Sequence, residues 1–234
     1  MNAMRHVPTH VTAAPRPLRM RPRPLRLRAT VVVPCVAKHA RHLPELLAHL
    51  EQQTVLPDEV AISVSEGPAP FLRSARFRVI VVANLGRAYA GRNRNLAAAA
   101  STGDILVYQD ADDLPHPQRV EMAHALLERC VVHHVLHRYD HLQCPRSTAE
   151  WSESRYQDAP RLARYEPGGY TFTPHYTNGN PITSRLVFDR VRWPENMRRG
   201  QDVAYNELVA GSFRRVMARL DVPLLSYRQY LSSR

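Results

Sequence analysis

The sequence reads DILVYQDADD over residues 104–113, where a short apolar run leads directly into a cluster of carboxylates. The run 105–108 predicts a strand that is buried on both faces, as in a parallel sheet covered by helices. The carboxyl end of this strand then carries Asp110, Asp112 and Asp113. Ligands of open α/β sheets bind at this edge. The stretch therefore predicts both a fold class and the position of a binding site.

The upstream sequence favours a mostly parallel α/β sheet. Leucines spaced at i, i+3, i+4 and i+7 from Leu43 predict a helix that Pro44 starts. An alanine-rich stretch predicts a second helix over residues 89–101. Three more apolar runs predict strands at residues 30–33, 60–64 and 79–82, the first of them ended by Pro34. This alternation of strands and helices predicts a single compact domain with helices flanking the sheet.

The downstream sequence predicts further elements around one long connection. Residues 144–180 are rich in Pro, Gly, Ser, Tyr and Thr, and we expect a functional loop or lid there. Its aromatic residues either stack on sugar rings or pack against one another; they are Tyr165, Tyr170, Phe172, His175 and Tyr176. The other predicted elements are a helix after Pro117, a strand over 131–139, short helices over 185–190 and 201–209, and closing strands over 213–220 and 224–228.

The positive charge of the chain is concentrated near its N-terminus. The formal net charge of the 234 residues is +11, but nine of the 32 lysines and arginines precede the first acidic residue, Glu45. The remaining chain is nearly neutral, so we do not expect nucleic acid as a partner. Residues 1–28 alternate Pro and Arg without a helical or strand period and predict a disordered arm. Three interpretations of the arm are open: a terminus without a specific role, a contact for an anionic partner, or a targeting peptide.

Composition also bears on compartment and cofactors. No run approaches the roughly 18 to 20 apolar residues of a membrane-spanning helix, so no membrane span is expected. Three cysteines do not make a disulfide framework, and we expect a soluble intracellular protein, with organelle targeting by the arm left open. Four histidines between Cys130 and Cys144 offer zinc ligands, but their spacing matches no zinc motif. Scattered, partly exposed histidines are the preferred interpretation.

The acidic cluster suits a divalent cation. Three carboxylates in four positions repel one another unless a cation lies between them. At a strand end, Asp110 and Asp112 could share a hard ion with a diphosphate, because such an ion needs few protein oxygens. The alternative is a solvated acidic turn that caps the next helix, a role open to Asp113 in particular.

Two long stretches resemble the nucleotide-sugar half of family 2 glycosyltransferases. They are TVVVPCVAKHARHLPELLAHLEQQTVLPDEVAISVSE at residues 30–66 and NLGRAYAGRNRNLAAAASTGDILVYQDADDLPHPQR at residues 84–119. The resemblance covers residues 29 to about 130 and depends on the order and spacing of its motifs. More weakly, GNPITSRLVFDRVRWPENMRRGQDVAYNELV at residues 179–209 resembles the acceptor half, where a Gly-Glu-Asp motif supplies the catalytic carboxylate.

The resemblance implies a GT-A fold, which is a Rossmann-type, mostly parallel sheet flanked by helices. It implies a nucleotide-sugar-binding half at residues 29–117 and an acceptor-binding half at residues 118–234. It also implies that Asp110 contacts the nucleotide ribose and, with Asp112, ligates Mn²⁺ or Mg²⁺ on the donor diphosphate. Asp202 is then the base of an inverting transfer. The residues implied near the nucleotide are Ser65, Glu66, Arg92 and Asn93; an ion pair of Arg92 with a carboxylate is the other interpretation.

The sequence departs from the family pattern in two places. Ser65-Glu66 stands where the family has acidic residues near the nucleotide, which leaves the nucleotide open, with a UDP-sugar favoured. Gln201 stands where an acidic residue precedes the base. The expected acceptor is a glycan, a glycoprotein or a small hydroxyl compound. The predicted function is a metal-dependent inverting glycosyltransferase, and the alternative is a non-catalytic module that binds nucleotide-sugar or glycan.

Overall fold

The strand predicted at residues 105–108 lies in the interior of one large sheet. The structure is a computed structural model that describes residues 16–141, 155–165, 170, 172–173, 176–177, 179–213 and 217–228. The strands of this part of the chain are β1 (Arg16–Pro17), β2 (Ala29–Val36), β3 (Glu59–Ser65), β4 (Arg78–Asn84), β5 (Ile105–Tyr108), β6 (Leu114–Pro115), β7 (His134–His141), β8 (Ala163–Tyr165), β9 (Ile182–Ser184) and β10 (Met217–Tyr227).

Helices cover both faces of this sheet. They are α1 (Leu43–Glu51), which a 3-10 helix (Ala37–His42) precedes, α2 (Ala90–Ala100), α3 (Arg119–Arg129), α4 (Ala159–Leu162), α5 (Arg185–Arg190) and α6 (Gln201–Ser212). The strand order is β1-β8-β10-β7-β9-β5-β2-β3-β4, and β6 pairs with β10. Among the described residues, no helix is both long and apolar enough to cross a membrane.

The first half of the sheet is parallel, as the sequence predicts. β5, β2, β3 and β4 lie side by side in that order, each parallel to its neighbour. Successive side chains of β2 face opposite sides: Val31 and Val33 join the core with the leucines of α1, whereas Val32 packs with the alanines of α2. Each fully buried side chain of this kind stabilises the fold by about 1.5–3 kcal/mol. The carboxyl ends of the four strands form one edge.

Pro34 does not end the first strand, contrary to the prediction. β2 continues to Val36 because β3 pairs with it from Thr30 to Val36. β5 pairs with β2 only as far as Val32. Pro34 therefore lies in the part of β2 that pairs with β3 alone. A sheet tolerates a proline, which has no N–H to donate, where a strand has a neighbour on one side only.

The second half of the sheet is mixed rather than parallel. β9 is antiparallel to both β5 and β7, whereas β10 is parallel to β7 and antiparallel to β8. The two closing strands predicted at 213–220 and 224–228 form the single strand β10, whose register shifts on both sides of Pro223. These irregularities accommodate the proline without ending the pairing.

Residues 16–28, which the sequence assigned to a disordered arm, instead form an ordered segment that we call the strap; residues 1–15 lie outside the described residues. β1 pairs with β8, the amide of Arg21 donates to the carbonyl of Arg129 at 2.7 Å, and Leu18 is buried in the core. The strap is held mainly by backbone groups of other elements. Backbone contacts of this kind do not require a regular spacing of apolar residues, so the strap's sequence shows no helix or strand pattern.

The stretch 144–180 contains two short described elements, α4 and β8. Many of its other residues, including Cys144 and His175, lie outside the described residues. The prediction that this stretch is a loop or lid stays a prediction for those residues.

A buried carboxylate, Glu59, holds the turn before β5. Its Oε1 accepts hydrogen bonds from the hydroxyl of Thr30 at 2.7 Å, the amide of Gly103 at 3.1 Å and the amide of Thr102. Burial acts to raise the pKa of Glu59, but these hydrogen bonds outweigh it and hold the pKa below its ordinary value. Because the folded-state pKa is lowered, Glu59 stabilises the fold above its unfolded-state pKa, and this contribution is lost as pH falls through the folded-state pKa.

Glu59→Gln is expected to lower the free energy of unfolding at pH 7 by about 1.5–3 kcal/mol, because charge-assisted hydrogen bonds to the turn are lost. At about pH 3 the deficit is expected to shrink, since the wild-type carboxylate is then being protonated. Urea denaturation at the two pH values measures both quantities. Glu207→Gln, at an exposed position of α6, is the control and should stay within about 0.5 kcal/mol of wild type. A deficit of equal size at both pH values would contradict the assignment.

Candidate active site

Residues 109–113, which follow β5, form a loop that we call the acidic loop. Hydrogen bonds from buried side chains fix its backbone. The side-chain amide of Gln109 donates to the carbonyls of Asp110 and Asp113, at 3.0 Å each. Arg119, buried at the start of α3, donates to Gln109 Oε1 and to the carbonyl of Tyr108 at 2.6 Å. Burial lowers the pKa of Arg119 to about 9. The side chains of Gln109 and Arg119 therefore hold the backbone of the acidic loop in place.

Asp110 has a partly exposed carboxylate, with 29% of its side chain accessible. Its Oδ1 accepts a hydrogen bond from Arg94 Nη2 at 2.8 Å, and its Oδ2 accepts one from Asn180 Nδ2 at 3.2 Å. The backbone amide of Asp110 donates to Asn180 Oδ1 at 2.7 Å. Asn180 thus fixes both the backbone and the side chain of Asp110.

Asp112 and Asp113 are less hydrated than Asp110. Burial, and then the charge of Asp110, raise the pKa of Asp112, whose Oδ2 lies 3.7 Å from His39 Nδ1. Burial, followed by the two neighbouring aspartates, raises the pKa of Asp113 well above its ordinary value. The carboxylate of Asp113 accepts a hydrogen bond from the amide of Arg228 at 3.0 Å, so it does not cap the next helix, α3.

Arg228, which directly follows β10, connects the acidic loop to α1. Its Nε donates to the carbonyl of Asp112 at 2.6 Å, and its Nη1 contacts both carboxylate oxygens of Glu45 at 3.1 and 2.9 Å. Because Glu45 lies in α1, one side chain links the loop, the last strand and the first helix.

Two adjoining cavities open at the carboxyl edge of the parallel strands. The larger has a volume of about 420 Å³ and the smaller about 300 Å³. Asp202 lines the larger cavity and Asp112 lines the smaller one. They are parts of one cleft, because four residues line both: Arg94, Asp110, Gln201 and Tyr227.

The helix that carries Asp202 lies close to α2. The amide of Gly91 donates to Gln201 Oε1 at 2.5 Å, and a Cβ on Gly91 would lie 2.1 Å from the carbonyl oxygen of Pro194. Only glycine permits this approach. Gly200 starts α6 with a φ of 72°, a left-handed conformation that glycine adopts readily. Asp202 then occupies the first turn of α6.

Asn93 and Ser65 lie close together, but their polar groups are engaged within the protein. Asn93 Nδ2 donates to the carbonyl of Cys35 at 3.0 Å and to Ser65 Oγ at 2.8 Å. Asn93 Oδ1 accepts a hydrogen bond from Ser63 Oγ at 3.0 Å. Asn93 lines the smaller cavity, and its hydrogen bonds join the carboxyl ends of β2 and β3.

Glu66 and Arg92 are exposed, and neither lines the two cavities of the cleft. The place expected for Arg92 is taken by Arg94, whose side chain is 4% exposed and pairs with Asp110. Its guanidinium carbon lies 4.4 Å from the centre of the Trp193 ring. The ion pair considered for Arg92 is thus formed by Arg94.

Sequence reasoning missed Arg94 and Asn180. The dipeptide Arg-Asn occurs twice in succession, at residues 92–93 and 94–95, and the surrounding alanines give no apolar period that tells which copy faces inward. Asn180 lies in the predicted long loop. Its one sequence signal is the preceding Gly179, where a Cβ would lie 3.1 Å from Arg94 Nη2.

The larger cavity is partly aromatic. Phe172, which is 58% exposed, lines it together with Tyr139, Tyr176 and Tyr227. Two other aromatic residues of the predicted loop lie elsewhere: Tyr165 donates its hydroxyl hydrogen bond to the carbonyl of Val131, and Tyr170 packs on the core beside α6.

His134 and His137 of β7 are fully buried and structural, contrary to the expectation of partly exposed histidines. His134 Nε2 lies 2.8 Å from Asn206 Oδ1, and His137 Nε2 lies 3.1 Å from the carbonyl of Asn180. Burial lowers the pKa of His134 to about 4 and that of His137 to about 3, so both are neutral at pH 7. Within the described ranges, no group of three or more His, Cys, Asp or Glu side chains could by itself hold a metal ion.

The parallel strands of the first half, the mixed second half and the cleft at their shared edge define a GT-A-like α/β domain. The chain belongs to glycosyl transferase family 2, whose sequence profile matches residues 30–191. It therefore carries a glycosyltransferase family 2 domain. No curated protein matches the chain in sequence.

Solved structures share this fold. S. aureus TarS 1–349 in complex with UDP has a TM-score of 0.62 and 14% identity, with 86% of this chain and 60% of that chain covered. The TarS complex with UDP-GlcNAc has a TM-score of 0.62 and 15% identity, with 86% and 58% covered. The mannosyltransferase PcManGT from Pyrobaculum calidifontis, in complex with GDP-Man and Mn²⁺, has a TM-score of 0.53 and 20% identity, with 89% and 58% covered. This chain thus spans about 60% of the length of these structures.

Proposed function

We propose that this chain transfers a sugar from a nucleotide-diphosphate sugar to an acceptor hydroxyl, with inversion at the anomeric carbon. The observation that carries the proposal is that Asp202 and Asp110 line one cavity while Asp112 lines the cavity beside it. An inverting displacement needs a base on one side of the reacting carbon and the leaving group on the other. The UDP, UDP-GlcNAc and GDP-Man in the similar structures support a nucleotide-sugar donor, with a UDP-sugar favoured.

The acidic loop fits a divalent cation at the donor diphosphate. Asp112 and Asp110 offer hard oxygen ligands, and the raised pKa of Asp112 reflects burial and repulsion that a cation would relieve. Mn²⁺ or Mg²⁺ is suited to one or two carboxylates, with phosphate and water oxygens as its other ligands. When bound, the ion would supply positive charge that stabilises the departing diphosphate. The Mn²⁺ of the PcManGT complex supports this choice.

Arg94 offers a further positive charge beside the same loop. One of its nitrogens pairs with Asp110, whereas its Nε and Nη1 are buried without a hydrogen-bond partner. A buried donor left unpaired costs about 1–3 kcal/mol. Arg94 lines both cavities, so its charge would lie beside an anionic donor group there, and it takes the nucleotide-side role that the resemblance implied for Arg92.

Asp202 is the base in this proposal. It accepts the proton of the acceptor hydroxyl while the hydroxyl oxygen forms a bond to the anomeric carbon and the bond from that carbon to the diphosphate oxygen breaks. Asp202 lies in the first turn of α6, at the end of the helix that faces the cleft. Gln201, which replaces the family's acidic residue, uses its amide oxygen to hold Gly91. The replacement therefore leaves the base in place.

The two halves of the chain divide these tasks. Residues 29–117 contribute the acidic loop and Arg94 to donor binding, and residues 118–234 contribute Asp202 and the aromatic side chains of the larger cavity. Phe172 and Tyr176 offer flat apolar faces on which sugar rings can stack. A glycan, or a glycoprotein that carries one, is therefore the favoured acceptor over a small hydroxyl compound.

Thermal unfolding with UDP-, GDP- and CMP-sugars, each with and without Mn²⁺, tests the proposal. A ligand that binds only the folded chain at 100 times its Kd adds about 2.7 kcal/mol of stability, which corresponds to a Tm rise of roughly 5–10 °C for a domain of this size. We expect the largest rise with a UDP-sugar and Mn²⁺ together. If no donor raises the Tm, the proposal fails. A donor-dependent rise with neither transfer nor slow donor hydrolysis would favour the non-catalytic module.

A further inference from the structure

The strap displays arginines without any acidic residue. It contains six arginines in the thirteen residues from 16 to 28. Four of them have exposed side chains that form no ion pair within the described residues: Arg16, Arg19, Arg23 and Arg26. Exposed positive charges in this density create a local potential that attracts anions.

Backbone contacts hold the strap against other exposed arginines. Pro17 lies opposite Arg164 in the pairing of β1 with β8, and the amide of Arg21 donates to the carbonyl of Arg129 at 2.7 Å. The side chains of Arg129 and Arg164 are exposed. Because successive residues of a strand face opposite sides, Arg164 faces away from Arg16, and we define the basic surface by Arg16, Arg19, Arg23, Arg26 and Arg129.

The nearest acidic side chain in these contacts is already engaged. Glu128 Oε1 accepts a hydrogen bond from the amide of Leu27 at 3.0 Å and lies 3.0 Å from His124 Nδ1. Glu128 therefore helps to hold the strap, and its single negative charge is outnumbered by the exposed arginines around it.

Apolar side chains alternate with the arginines of the strap. Met20 is 46% exposed and Leu25 is 42% exposed, whereas Leu18 is buried and anchors the strap. The strap has no aromatic residue. Single-stranded nucleic acid is commonly held by stacking on aromatic rings, whereas anionic bilayers attract arginines and also accept apolar side chains at the headgroup boundary. From the charge and the exposed apolar groups, we infer that the basic surface docks on a bilayer of anionic phospholipid.

The position of the basic surface leaves the cleft open. α3 starts at Arg119, which braces the acidic loop, and ends at Arg129, next to the strap. An eleven-residue helix is about 16 Å long. The strap therefore contacts the end of α3 that is remote from the cavities, and docking there does not compete with a ligand in the cleft. The inference does not depend on the function proposed above.

Co-sedimentation of the full chain with lipid vesicles tests this inference. We expect binding to phosphatidylcholine vesicles that contain phosphatidylglycerol, no binding to pure phosphatidylcholine, and weaker binding as salt rises. Each arginine near an anionic surface contributes a factor of about five in partitioning. The variant Arg19→Gln/Arg23→Gln/Arg26→Gln should therefore bind about 100-fold more weakly.

The matched control changes the same number of exposed arginines elsewhere, as Arg73→Gln/Arg87→Gln/Arg198→Gln. It should keep nearly wild-type binding, and both variants should keep the wild-type Tm, which shows that they fold. Equal binding by the two variants, binding to neutral vesicles, or no binding by the wild-type chain would overturn the inference. So would tighter binding to a single-stranded RNA oligonucleotide than to anionic vesicles, an outcome that would reassign the surface to nucleic acid.

Discussion

Asp202→Asn is expected to lower the rate of sugar transfer by about 10²–10⁴-fold, the usual contribution of a general base. The asparagine side chain keeps the size of the aspartate but cannot accept the hydroxyl proton. Donor affinity is expected to stay near the wild-type value, because the residues proposed to bind the diphosphate lie on the acidic loop and on α2. Initial rates at saturating donor, together with donor titrations, separate the two quantities.

Glu207→Gln is the matched control for this variant, because Glu207 lies on the same helix, is exposed and does not line the cleft. It should retain wild-type rates. Transfer at the wild-type rate by the Asp202 variant would remove Asp202 from the mechanism. A loss of both transfer and donor binding would instead assign Asp202 to the donor site.

Asp112→Asn is expected to weaken Mn²⁺-dependent donor binding by about 100-fold or more. Metal coordination contributes several kcal/mol, and each 1.4 kcal/mol changes an equilibrium constant tenfold. The substitution removes one of the two carboxylates proposed to hold the ion. Binding of the same donor without metal should change little. Isothermal titration with a UDP-sugar, in the presence of Mn²⁺ and then of a chelator, measures the difference.

Asp189→Asn provides the control for this loss of charge, since Asp189 is exposed on α5 and lines neither cavity. Its donor affinity should match that of the wild-type chain in both conditions. If the Asp112 variant keeps the full effect of Mn²⁺, the ion does not bind at the acidic loop. An equal loss with and without metal would show that Asp112 contacts the donor directly.

The parallel half of the fold was predictable because its signals are local. The apolar run 105–108 and the leucines of α1 are each sufficient to identify their elements, and the structure confirms both. The strap and the unbroken strand β10 were not predictable in the same way. Both depend on pairing with segments that lie far away in sequence, and such pairing leaves no period in the residues themselves.

The candidate site was predictable at the level of the acidic loop but not of its partners. Three aspartates after a buried strand are visible in the sequence, and Asp110, Asp112 and Asp202 do lie on one cleft. The choice between Arg92 and Arg94 depends on the rotation of α2, which its alanines do not specify. Asn180 is recognisable only from its hydrogen bonds to Asp110, which appear once β9 is placed beside β5.

Arg228 binds Asp113 across a sequence separation of 115 residues. During synthesis, chains begin to fold from the N-terminal side, so the parallel strands can pair long before Arg228 emerges from the ribosome. The acidic loop receives this contact only afterwards. A nascent polypeptide that already has its parallel sheet therefore still lacks the hydrogen bond from Arg228 that holds Asp113 of the acidic loop.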